Sequence, residues 1–98
     1  MMAQNSFTKD PHSIEWFGVD WTERLQGDGV FAADSIVSSD WTVPDGLAEA
    51  DAMSMTKAAG VKLSGGVVGT TYKVTNRIVT AVNGETLDGT IEITVEDK

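Results

Sequence analysis

The chain has 98 residues, fifteen acidic against seven basic, giving a net charge of -8 and a pI near 4.3. That length holds one domain able to fold around a single core, and that charge repels phosphate backbones and anionic lipid, setting nucleic acid and membrane surfaces aside as partners. Cysteine is absent, which removes disulfides, thiolate metal sites and a cysteine nucleophile, while 41% apolar residues with clear patterning separate the sequence from a disordered chain.

Residues 1–12 are polar and without periodicity, and are expected to form a flexible N-terminal arm; residues 13–98 are expected to form the single domain. The start has no signal- or transit-peptide pattern, and no run reaches the roughly 18 apolar residues of a membrane span, so the expectation is a soluble protein made in a cytoplasm. From residue 13, Ile14, Trp16, Gly18 and Asp20 alternate with Glu15, Phe17, Val19 and Trp21. Both phases carry aromatics, which predicts a strand with one phase in the core and the other partly covered or against a partner. Asp20 three residues before Glu23 resembles a helix-capping pattern, and Trp21 with Leu25 can face one side of a single helical turn. Gln26-Gly27-Asp28-Gly29 is a turn, followed by a short apolar run over residues 30–33.

Residues 35–43 read as a strand in which Ile36 and Trp41, an odd number apart, both belong inside only if a bulge falls near Ser38-Ser39. Pro44-Asp45-Gly46 closes it. Residues 47–55 fit neither period and are expected to be an irregular edge strand. Val61 and Leu63 share one face of a short strand, with Lys62 on the other. Ser64-Gly65-Gly66 and Gly69 have no Lys-Ser/Thr pair or helix after them, so the glycines serve turns needing positive φ and not a phosphate cradle.

Residues 71–95 carry the strongest local signal. Asn83-Gly84 lies between two β-branched, alternating runs, the signature of a two-residue hairpin loop. That loop sets Tyr72 opposite Val95, Val74 opposite Ile93, Asn76 opposite Ile91 and Ile78 opposite Gly89, all on one face. Lys73, Thr75, Arg77 and Val79 fall on the other. Tyr72, Val74, Ile78, Ile91, Ile93 and Val95, with Trp41 from the earlier strand, are the expected structural core. Asn76 sits on this apolar face and needs an internal hydrogen-bond partner. About six to seven strands separated by turns predict an all-β fold, an immunoglobulin-like antiparallel β-sandwich.

Catalytic chemistry finds little support. The only histidine, His12, falls in the expected arm, where it cannot hold attack geometry. Asp10 with Glu15, Asp20 with Glu23 and Glu49 with Asp51 are carboxylate pairs, but a sandwich of this size has little room to oppose two carboxyls across a cleft. Asp28, Asp34, Asp40 and Asp45 lie near loops that could chelate calcium, yet show no ligand rhythm. Trp16, Trp21 and Trp41 could stack sugars; three indoles in a chain this short are more often core and cap residues, and at least two are expected to be buried. No catalytic residue, metal ligand or cofactor is therefore assigned, and the expectation is a non-enzyme.

Several segments together resemble one family. They are Asp10-Pro11, then Asp20-Trp21, Gly27-Asp28, I-x-S-S-x-W-T-V-P-x-G-L over Ile36 to Leu47, and L-S-G-G-x-x-G-T-x-Y-x-V-T-N-R-I over Leu63 to Ile78, before a final β-ribbon. The pattern, over roughly residues 10–95, is similar to the small Ig-like virion proteins of tailed phages known as fiber-tail adaptors. This chain departs from it in extra residues around 29–33 and in an Ala- and Met-rich segment over 47–59. The resemblance implies a phage or prophage virion structural protein, a tail, fiber or neck adaptor that assembles with other virion proteins in the host bacterial cytoplasm. Homo-oligomerisation in the particle is left open. The alternative reading is an Ig-like carbohydrate-binding or cell-adhesion module, which would show two coplanar Trp rings on an open surface.

Overall fold

A computed structural model of the chain describes residues 6–27 and 33–97. Seven strands and one helical turn follow in order: β1 (Ser6–Lys9), β2 (Glu15–Asp20), α1 (Thr22–Leu25), β3 (Ile36–Thr42), β4 (Leu47–Ser54), β5 (Ala58–Gly65), β6 (Thr71–Thr80) and β7 (Thr86–Val95). They form a four-stranded sheet in the order β1-β7-β6-β3 and a three-stranded sheet in the order β2-β5-β4, which face each other as a sandwich. Lettered A to G in chain order, the strands group as in a constant-type immunoglobulin sandwich, except that the first joins the C-F-G sheet and not B-E-D. All pairings are antiparallel apart from β1 with β7, which run parallel. No helix among the described residues is long and apolar enough to cross a membrane.

The core forms where the alternating faces meet. Phe17, Val19, Leu47, Val61 and Leu63 from the three-stranded sheet pack against Tyr72, Val74, Ile78, Ile91, Ile93 and Val95 from the other. Trp41 lies at the margin of this cluster, partly buried and packed against it together with Ile36. The odd spacing of Ile36 and Trp41 is absorbed by a bulge between Ile36 and Ser38, slightly before the expected place, which leaves Val37 exposed.

The hairpin register differs from the expected one by two residues. Tyr72 pairs with Ile93, Val74 with Ile91, Asn76 with Gly89 and Ile78 with Leu87. Because side chains alternate with period two, a slip of two keeps every residue on its face, and the apolar set still points inward. Polar partners on the outer face close well in this register: Arg77 bonds Asp88 at 2.8 Å and the Thr75 and Thr90 hydroxyls meet at 3.0 Å. The cause lies outside the hairpin. The buried Asp34 carboxylate accepts the Val82 and Asn83 N–H groups at 2.7 and 2.9 Å, and its own chain is tied in through Ser35. A carboxylate capping these amides holds a wider loop between Thr80 and Glu85 than a two-residue turn allows.

The arm expected over residues 1–12 is also corrected from Ser6 onward. Residues 6–9 are a strand parallel to β7, Phe7 meets Phe17 edge to face at 5.5 Å, and Lys9 is fully buried. The Lys9 ammonium donates to the backbone carbonyls of Asp10, Ser13 and Gly65 at 2.9, 2.6 and 2.8 Å, using all three of its protons. Burial pushes this ammonium below the usual lysine range, while Glu15 and Asp10 pull it back up. A polar segment without periodicity thus becomes structural because one lysine satisfies three carbonyls at the seam between the sheets.

Asn76 finds its partners on both sides. Its Oδ1 accepts the Trp21 indole N–H at 3.0 Å, and its Nδ2 donates to Ser39 Oγ at 2.8 Å and the Asp40 carbonyl at 3.2 Å. Trp21 arrives from the end of β2 and Ser39 lies on β3, so one amide joins both sheets. Trp21 and Leu25 are buried on one side of the helical turn, whose N-cap is Trp21; Asp20 instead accepts the Thr22 N–H and hydroxyl just ahead of it. The Tyr72 hydroxyl accepts the Val67 N–H at 3.0 Å, tying the start of β6 to the backbone just upstream as a tyrosine corner does.

Candidate protein-docking face

The outer face of the three-stranded sheet carries several large exposed apolar side chains. Register places Trp16 beside Lys62, Gly18 beside Gly60 and Asp20 beside Ala58, then Asp51 beside Lys62 and Met53 beside Gly60. Ile14, Trp16, Met53 and Met55 are 59%, 45%, 48% and 55% exposed, which is far from core burial for side chains of this size. Between Trp16 and the two methionines runs an open groove of about 640 Å³ over the glycines, lined also by Asp20, Thr22 and Ala58.

Gly60 gives the groove its floor. A Cβ there would lie 3.3 Å from Met53 Cγ and 3.5 Å from the Trp16 ring, so the missing side chain is what lets the thioether and the indole lie down from opposite sides. The Lys62 ammonium sits 6.0 Å from the Trp16 ring centroid, at the outer limit of a cation–π contact. At the far rim the Thr22 hydroxyl and N–H hold Asp20 below the usual carboxylate range. An indole, two flexible thioethers and a bare backbone strip form an adaptable apolar surface of the kind that accepts protein side chains.

The sequence located part of this face. Both phases of the first strand carry aromatics, and the structure assigns Phe17 and Val19 to the core and Ile14 and Trp16 to the outside. The contribution of Met53, Met55 and the glycine pair was not legible, because it depends on β2, β5 and β4 lying side by side. Residues 47–54 do form an edge strand, with an irregularity between Glu49 and Asp51. The expectation for the indoles is corrected: only Trp21 is fully buried, Trp41 is partly buried and Trp16 is exposed. Trp16 and Trp41 belong to different sheets, and Trp41 packs inward, so no pair of Trp rings shares an open surface.

The groups weighed for catalysis or metal binding are not brought together. His12 is exposed in the turn after β1, 3.6 Å from an Asp10 oxygen. Asp34 is occupied by backbone amides, Asp40 and Asp45 are exposed elsewhere, and Asp28 lies outside the described residues. Among the described residues no three His, Cys, Asp or Glu side chains are grouped to hold a metal ion.

The chain is thus a small β-sandwich with an apolar groove open on the outer face of one sheet. The chain belongs to a family of virion adaptors: the family model described as Podophage GP4 fiber-tail adaptor protein gp77 matches residues 9–94, from the end of β1 nearly to the end of β7. No curated protein matches the sequence.

Proposed function

We propose that this chain is a non-enzymatic structural component of a phage or prophage virion, joining tail, fiber or neck parts by protein–protein contact. It assembles onto other virion proteins in the host bacterial cytoplasm, binding neither nucleic acid nor membrane. Family membership over residues 9–94 supports the adaptor role, and the observation that carries the mechanism is the exposed face of Ile14, Trp16, Met53 and Met55. Burying these side chains against a partner supplies the association energy, and the acidic surface steers the encounter toward neutral or basic proteins.

The test is made on particles of the phage that encodes the chain. Mass spectrometry of purified virions is expected to find the chain, and Trp16→Ser is expected to lower its incorporation about tenfold or more. The same substitution should leave thermal unfolding nearly unchanged, since Trp16 lies outside the core. Virions without the chain, or full infectivity after deletion of its gene, would overturn the reading.

A further inference from the structure

We propose that the free edge of β4 is a strand-addition site at which this adaptor takes up an extended, basic segment of another virion protein. The inference rests on the adaptor role and adds to it the place of contact and the chemistry of the partner.

Among the described residues, four strands end the two sheets, β1 and β3 in one and β2 and β4 in the other. Among them β4 is the longest at eight residues, and every residue after Leu47 is exposed, on both faces of the strand. Such a strand contributes almost nothing to the core beyond its pairing with β5. Its outer edge offers backbone N–H and C=O groups to an incoming chain. The irregularity between Glu49 and Asp51 divides it, and from Asp51 to Ser54 it runs in regular register opposite Lys62 to Ala59. That regular stretch is where a partner strand can pair without meeting the bulge.

Side chains on either side of the stretch leave space for the partner. Met53 faces the outer groove in the row Gly18, Gly60, Met53, so a partner residue beside it extends the apolar face. On the inner side, Ala52 and Ser54 border a cleft of about 130 Å³ against Ser39 of β3. Both residues are small. The indole N–H of Trp41, also on β3, is buried without a hydrogen-bond partner among the described residues.

Charge selects the occupant. Residues 36–54, which make up β3, its turn and β4, contain Asp40, Asp45, Glu49 and Asp51 and not one Lys, Arg or His. A second copy pairing β4 with β4 would set acid against acid across the new ladder, in a chain of net charge -8. A segment with Lys or Arg flanking an apolar residue meets the opposite sign and the groove together.

The experiment places the photo-crosslinking residue p-benzoylphenylalanine at Ala50 or Ala52 of β4, and at Thr90 on the outer face of the other sheet, in phage particles. Glu49→Lys combined with Asp51→Lys is made alongside, with Thr90→Lys as its control. Crosslinks from β4, and not from Thr90, should map to a segment of another virion protein richer in Lys and Arg than in Asp and Glu. The double charge reversal should cut incorporation about tenfold while its melting temperature stays that of the parent chain. Crosslinks to a second copy or to a neutral or acidic segment would overturn the proposal, as would no β4 crosslink or normal incorporation of the charge-reversed chain in particles that contain the protein. Particles that lack the chain altogether would instead overturn the adaptor role.

Discussion

Asn76 shows how one polar side chain can be worth more than its size. Trp21 and Ser39 approach it from different sheets, and the bond to the Trp21 indole is buried. Asn76→Leu keeps the volume but strands the Trp21 N–H, and is expected to cost about 2 kcal/mol, as for one buried donor left unpaired. Trp21→Phe should then be less damaging in the Asn76→Leu background than in the parent, because there it removes an orphaned donor and in the parent it breaks a bond. Urea denaturation of the four chains measures that coupling, and strict additivity would show that the bond contributes nothing specific.

Asp34 gives the residue scale its pH dependence. Burial pushes its carboxyl upward, but the N–H groups of Val82, Asn83 and Ser35 and the Thr80 hydroxyl outweigh that and hold it well below its ordinary value of 3.8. A carboxylate with a depressed folded pKa stabilises the fold fully above the unfolded value, and that contribution disappears as pH falls from about 3.8 through the folded pKa. Asp34→Asn should therefore destabilise the chain at pH 7 and differ much less from the parent near pH 2. Chemical denaturation at the two pH values checks this, and an equal gap at both would remove Asp34 from the acid limb.

At the scale of elements, the turns that enter and close the β6–β7 hairpin tolerate change very differently. Gly66 has φ +106°, and a Cβ there would lie 2.5 Å from Val95 Cγ2; Gly84 has φ +65° with nothing within 4 Å. Alanine at Gly84 meets only the left-handed backbone cost, about 1 to 2 kcal/mol. At Gly66 the same cost is joined by overpacking against β7, for a total of about 3 kcal/mol or more. Thermal melts should rank parent, Gly84→Ala and Gly66→Ala in that order. Equal losses would mean that Val95 yields freely to the new methyl.

Considered as a whole molecule, the sandwich depends on its first strand. Deleting residues 1–9 removes the β1–β7 pairing, the Phe7–Phe17 contact and the lysine that satisfies three carbonyls. A loss of about 3 kcal/mol or more is expected from the aromatic side chain and the stranded carbonyls together. An unchanged melting temperature would show β1 to be an accessory. The outer face behaves in the opposite way, since Trp16 and Met53 stabilise little within the chain and are available to a partner.

Local periodicity determined which residues of β2, β5, β6 and β7 face inward, because alternation is written residue by residue and survives even a two-residue slip. It also determined that Asn76 needs an internal partner and that residues 47–55 form an irregular edge, while the segments shared with the adaptor family indicated its class. Tertiary structure alone decided the hairpin register, because the carboxylate that sets the loop comes from Asp34, 48 residues before Val82. It also decided that residues 6–9 are a strand, since they pair with β7 and since one of the carbonyls that hold Lys9 belongs to Gly65, 56 residues further along. The docking face likewise exists only once β2, β5 and β4 are aligned. Each of these rests on groups far apart in the chain, and no pattern of neighbouring residues records which distant groups will meet.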